Sequence, residues 1–251
     1  MVPSSVRSAQ LRRLISQGVV MLPGAFNALS ARMIEQEGFE AFYVSGAVLA
    51  NSVGGVLDVG LMTLTESRDH IAQVAGVTSI PILADADTGY GGPENAARTV
   101  RVLEAAGVSG IHLEDQEFPK RCGHLERKRL VPTEEFCEKI AAAVAAKASS
   151  DFLLIARTDA RGVEGYDAAV RRAHAYLKAG ADGVIVGDTA DLLRGPRKAA
   201  LPWVSDFRVG GEDGLRRGGT SADLRGAADR GAVQAVPRGV ARVSRAAASG
   251  A

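Results

Sequence analysis

The sequence predicts an α/β fold of the (β/α)8 TIM-barrel type, incomplete, with six recognisable units instead of eight. Three observations predict it. Short apolar runs of strand length recur at residues 19–22, 41–44, 80–84, 110–113, 152–156 and 183–186. Longer stretches with helical spacing separate them, which is the alternation of a parallel sheet covered by helices. Two of the runs finish in acidic residues, where a barrel strand delivers side chains to a site at its C-terminal end. Residues 1–186 hold this partial barrel, and 187–251 form a separate tail.

Taken in order, the first helical stretch is NALSARMIEQEG, with apolar residues at Leu29, Met33 and Ile34 and a stop at Gly38. After the second run comes a small-residue turn, Ser45-Gly46-Ala47, whose backbone N–H groups can approach a carboxylate closely. Asp58 lies in GGVLDVGLMTLTE, which reads equally as a loop with a solvated acid. The third run leads into Asp85 and Asp87, and a helix follows from near Pro93 to a stop at Gly107. The fourth run ends in Glu114 and Asp115; strand alternation sends Asp115 to the opposite side if Glu114 points inward.

A charged segment, about Glu117 to Arg129, precedes the helical TEEFCEKIAAAVAA, where Cys137 reads as a small buried or half-buried residue. The fifth run ends at Arg157, and YDAAVRRAHAYLKAG closes its helix at Gly180. From about Gly187 the pattern fails. The tail is rich in Arg, Gly and Ala with brief hydrophobic periodicity, so an irregular or disordered segment is expected. Acids interspersed among its arginines argue against a nucleic-acid arm.

Bulk properties narrow the function classes. With 251 residues, 46% of them hydrophobic, the chain can build one barrel-sized core. Thirty basic against twenty-nine acidic residues give a net charge of +1, which offers no electrostatic footprint for nucleic acid or an anionic membrane. A small-molecule ligand is expected. No apolar run approaches the roughly 18–20 residues of a membrane span, and a cytoplasmic location is the expectation. Cys122 and Cys137 are the only cysteines and suggest no secreted disulfide framework.

The acids carry the chemistry. Asp85, Asp87 and Glu114 are hard oxygen ligands suited to Mg²⁺ or Mn²⁺, and the segment lacks the Cys and His density of a zinc site. The bland alternative is helix capping. Arg157 offers a planar fork for a substrate carboxylate, or a salt bridge to Asp159. Lys120, Arg121 and His124 surround Cys122, and nearby cations favour a thiolate. Tyr43 is a hydrogen-bond donor near an oxygen that gains charge, or a core tyrosine. His70 and His174 fall in helical stretches, while His112 faces either the barrel or the helices.

The motifs YVSGA (43–47), ADADTGYG (84–91), HLEDQ (112–116), KRCGH (120–124) and ARTDA (156–160) resemble the isocitrate lyase and phosphoenolpyruvate mutase superfamily. The KRCGH loop resembles its lyase branch, which includes 2-methylisocitrate lyase and 2,3-dimethylmalate lyase. The match runs in order from about Leu22 to Val186. It implies Asp85 in direct contact with Mg²⁺, with Asp87, Asp58 and Glu114 binding through water. It implies Cys122 as a proton donor on a mobile loop, Gly123 and His124 near substrate, and Ser45, Gly46, Ala47 and Arg157 as substrate contacts.

The activity implied is Mg²⁺-dependent cleavage of a small 2-hydroxy di- or tricarboxylate to a 2-oxo acid such as pyruvate and a dicarboxylate such as succinate. A phosphonate mutase, an oxaloacetate-cleaving enzyme and an inactive remnant are the alternatives. Relatives of this kind are homo-oligomers that exchange C-terminal helices. Their later strands and helices are not matched here, and the tail has the bias that a shifted reading frame in a GC-rich gene would give. A weak or altered assembly is therefore expected.

Overall fold

Among the described residues, five parallel strands stand side by side in chain order: β1 (Phe42–Val44), β2 (Ile82–Asp85), β3 (Gly110–Glu114), β4 (Leu153–Thr158) and β5 (Gly183–Val186). The computed structural model describes residues 2–123 and 125–187. His124 and residues 188–251, and with them the expectations for the tail, lie outside the described residues. The register pairs Asp85 with His112 and Glu114 with Arg157, so four polar side chains reach the C-terminal ends of adjacent strands.

Helices α1 (Ser4–Gln17), α2 (Ala28–Gln36), α4 (Leu64–Gly76), α5 (Pro93–Ala105), α6 (Thr133–Ala145) and α8 (Tyr166–Lys178) join short α3 (Gly46–Leu49) and α7 (Ala160–Val163). A π-turn at Ala50–Gly54 follows α3. Thr63 and Glu66 form a capping box at the start of α4, satisfying backbone donors that the first turn leaves without helical partners. Gly107 and Gly180, at φ +98° and +108°, end the chain's turns after α5 and α8 where a side chain would be strained. Ile82, Leu83, Ile111, Leu113 and Leu154 are buried, as expected of a parallel sheet with both faces covered.

The structure departs from the sequence reading in three places. Residues 19–22 do not form a strand; pairing at that edge is a single parallel bridge between Gly24 and Tyr43, with Tyr43 N donating to Pro23 O. Pro23 has no N–H to continue a ladder, which limits the pairing to this short contact. Leu29 and Met33, the apolar marks of α2, are exposed, and within that helix only Ala31 is buried.

Finally, α1, which sequence periodicity did not single out, lies across the N-terminal ends of the strands. Its buried Arg7 donates to the carbonyls of Ala75, Thr78 and Gly107, and Arg12 donates to Asp151 O and Asp182 Oδ1, both at 2.8 Å. The opposite end is left for the site.

Candidate active site

Asp85 ends β2 and is held from several sides. Gly46 N and Asp87 N each donate to it at 3.0 Å, and the Tyr43 hydroxyl lies 3.4 Å from its Oδ2. Burial opposes its ionisation, but His112, Lys120 and Arg157 outweigh that and hold its carboxyl at about 2. Asp87 takes a left-handed backbone, φ +50°, which Asp tolerates better than most residues. That turn brings its side chain toward Lys120, whose Nζ is 2.9 Å from Asp87 Oδ1 and also pairs with Asp58.

Glu114, at the end of β3, faces the same space. Its Oε2 is 3.2 Å from Arg157 Nη1, while Oε1 is buried without a hydrogen-bond partner. Burial pushes the Glu114 carboxyl up to about 8, despite Arg157 and Lys120; burial and the neighbouring Asp85 push Asp87 to about 6. Lys120 is itself raised above the ordinary lysine value: burial opposes its charge, but Glu114, Asp87, Asp85 and Asp58 dominate. The four predicted carboxylates therefore cluster around two cations, and two of them are left reluctant to ionise. Among the described residues, no three His, Cys, Asp or Glu side chains are gathered tightly enough to hold a metal as they stand.

The segment 117–131 folds back on itself and starts from a bridge between Gln116 and Leu130. Lys120 carries it into the carboxylate cluster. At Gly123, a Cβ would collide with Arg157 Nη2, and Lys128 Nζ donates to Gly123 O at 2.6 Å. Cys122 lies between these two anchors, partly exposed and not in a disulfide. His124 is outside the described residues.

Arg157 makes the ion pair that sequence left as the alternative: its Nη2 is 3.1 Å from Asp159 Oδ2, in addition to the Glu114 contact. Ser45 caps α3 by accepting from Val48 N at 3.4 Å, and Gly46 N–H is engaged by Asp85. The small-residue turn thus serves the aspartate. No Cβ fits at Gly46, where it would lie 2.9 Å from Asp85 Oδ2.

Asp115 turns to the helix side, as alternation predicts. It accepts from Thr158 Oγ1 at 2.6 Å, Tyr176 OH at 2.8 Å and Asp159 N at 3.1 Å, and Arg172 Nη1 is 3.6 Å away. This buried network braces the ends of β3 and β4 behind the site.

Two positions of this cluster are not predicted from the sequence. His112 points inward: its Nε2 is 2.8 Å from the Tyr43 hydroxyl, and the rings stack at 5.8 Å. Burial keeps its imidazole below the usual histidine value against the pull of Asp85. The sequence places Lys120 only beside Cys122, yet its ammonium sits among the acids. The available signal was the basic pair Lys120-Arg121 closely following a strand that ends in acids.

The phosphoenolpyruvate phosphomutase family model matches residues 11–194. The chain belongs to the PEP mutase/isocitrate lyase superfamily. Within it, "Probable 2-methylisocitrate lyase 1" of Corynebacterium glutamicum is 54% identical over 176 residues, covering 70% of this chain and 57% of the relative. The 2-methylisocitrate lyase of Aeropyrum pernix is 47% identical, over 68% of this chain and 55% of its own length. The chain thus spans less than two thirds of the length of these relatives.

Among solved superfamily structures, oxaloacetate acetylhydrolase in complex with 3,3-difluorooxalacetate matches at 40% identity and a TM-score of 0.71, covering 74% of this chain and 64% of that one. Phosphonopyruvate hydrolase in complex with oxalate and Mg²⁺ matches at 37% and 0.66, over 75% and 64%. Among the described residues, no helix is long and apolar enough to cross a membrane.

Proposed function

We propose that this chain carries the catalytic face of a Mg²⁺-dependent carbon–carbon lyase. Its substrate would be a small 2-hydroxy di- or tricarboxylate of the 2-methylisocitrate kind, cleaved to a 2-oxo acid such as pyruvate and a dicarboxylate such as succinate. The observation that carries this reading is the loop holding Cys122, anchored on one side by Lys120 among the carboxylates and on the other by Gly123 against Arg157. A thiol so placed has a task in protonating a carbanion and no evident one in phosphoryl migration.

The residues fit a hard divalent cation. Glu114 leaves a buried oxygen without a partner, and burial makes Asp87 and Glu114 resist ionisation despite Lys120, a resistance that a bound cation would offset. Asp85, already ionised, would contact the metal, with Asp87, Asp58 and Glu114 around it. When bound, Mg²⁺ would orient the substrate's carboxylate and 2-oxygen and stabilise negative charge on them.

The protein's own groups would do the rest. Arg157 grips a substrate carboxylate with its planar fork. Tyr43 stays protonated, since burial and then Asp85 hold its phenol well above the usual value, and so acts as a donor to the substrate oxygen. As the 2-hydroxyl passes its proton to a carboxylate of the cluster and becomes the carbonyl, the adjacent C–C bond breaks, leaving its electron pair on the departing dicarboxylate. That carbon takes a proton from Cys122 Sγ. Closure of the loop excludes water during this step.

The test is Mg²⁺-dependent release of a 2-oxo acid from 2-methylisocitrate, 2,3-dimethylmalate, isocitrate and oxaloacetate, with EDTA and Cys122→Ser as controls. Turnover lost in both controls supports the lyase. The similarity to oxaloacetate acetylhydrolase favours oxaloacetate cleavage as the second reading, and Cys122-independent release of oxalate would select it. A folded chain with no turnover on any of the four would select a non-catalytic body.

A further inference from the structure

We infer that Gln116 is a positioning residue that latches the Cys122 loop to Asp159, and through Asp159 to Arg157. The value of this latch to catalysis rests on the lyase reading above; its existence does not. Gln116 is the last residue of HLEDQ and is buried, and its amide is committed on both ends. Its Oε1 accepts from Arg121 N at 3.0 Å, while Nε2 donates to Arg121 O at 2.9 Å and to Asp159 Oδ2 at 3.0 Å. The side chain thus treats the Arg121 peptide as a strand neighbour would, pairing with both its N–H and its carbonyl one residue before Cys122.

Asp159 is the common anchor. Completely buried, it also meets Arg157 Nη2 at 3.1 Å, and Lys128 Nζ, the donor to Gly123 O, is 3.8 Å from its Oδ1. The loop is therefore held on both flanks of Cys122 from one carboxylate, and that carboxylate also orients the arginine expected to grip substrate. A side chain with both a donor and an acceptor is required at 116: a carboxylate would face Asp159 without a proton to share, and an ammonium could not accept from Arg121 N. Loop position and arginine orientation then change together.

The test uses the full chain with Cys137→Ser, so that Cys122 is the only thiol. Hydrogen exchange at the Arg121 amide reads the latch directly, and the rate of Cys122 alkylation by iodoacetamide reads loop opening. Gln116→Met keeps volume and removes all three hydrogen bonds. It should raise both rates by at least about tenfold with the circular dichroism spectrum unchanged. If the lyase turns over, kcat should fall further than KM rises.

Gln116→Asn, an amide one methylene too short to reach both Arg121 and Asp159, should behave like Gln116→Met. Unchanged exchange and alkylation in both variants would overturn the proposal whatever the activity. Faster exchange without any turnover in the parent chain would uphold the latch and count against the lyase reading. If neither variant folds, the parent chain decides: Arg121 exchange at the rate of an unstructured peptide overturns the latch, and exchange slowed at least about tenfold supports it.

Discussion

Lys120 Nζ stands between Asp58 and Asp87, 2.9 Å from Asp87 Oδ1, although 62 residues separate it from Asp58 in sequence. The ammonium closes the loop over the acids and supplies positive charge to a cluster short of it. Removing it should leave buried carboxylates uncompensated.

Lys120→Met is accordingly expected to destabilise the chain by about 3–5 kcal/mol, the usual effect of breaking a buried pair from one side. Thermal melts with and without Mg²⁺ check this. The variant should recover more stability from added Mg²⁺ than the parent does; an equal gain would show that Lys120 does not share the metal's electrostatic environment.

The pH dependence of metal binding follows from Glu114 and Asp87. A carboxyl whose pKa is raised on folding binds more protons in the folded chain than in the unfolded one, so the metal-free fold loses stability as pH rises between the two values. That window runs from 4.5 to about 8 for Glu114 and from 3.8 to about 6 for Asp87. Mg²⁺ competes with those protons, so its stabilising effect on Tm should be larger at pH 8 than at pH 6. Calorimetry at the two pH values, in buffers of different ionisation enthalpy, should show proton release on binding. An effect of equal size with no proton release would refute the assignment of these ligands.

Gly46→Ala tests the turn after β1. The added Cβ would lie 2.9 Å from Asp85 Oδ2, so Asp85 must shift or the turn must open. Loss of metal affinity and of activity by at least tenfold, about 1.4 kcal/mol, is expected with Tm within a few degrees of the parent. Full activity would mean that Asp85 is not the close contact proposed.

The brace behind the site is tested by Asp115→Ala. It strands the hydroxyl donors of Thr158 and Tyr176 and the Asp159 N–H in the interior, at a cost of about 1–3 kcal/mol for each group left unsatisfied. Tyr176→Phe removes one of these donors and should cost about 0.5–1.5 kcal/mol. Urea denaturation distinguishes the two, and similar midpoints for both would contradict a charge-centred network.

The sequence by itself determined the β/α order, the helices ending at Gly107 and Gly180, and the strand ends that carry Asp85, Glu114 and Arg157. These follow from local rules: hydrophobic period, glycine stops, and the alternation that sends Glu114 inward and Asp115 outward. Tertiary structure alone decided which groups meet. Lys120 inserts between Asp58 and Asp87, His112 turns toward Tyr43, and Gln116 joins Arg121 to Asp159, through contacts that include pairs 62, 69 and 43 residues apart. Periodicity indicates the face a side chain occupies, but the partner across the space depends on how neighbouring strands register and where a loop closes. The same reason removed the first predicted strand: an apolar run becomes a strand only if its backbone groups find a ladder, and beside β1 Pro23 and Gly24 leave room for one bridge.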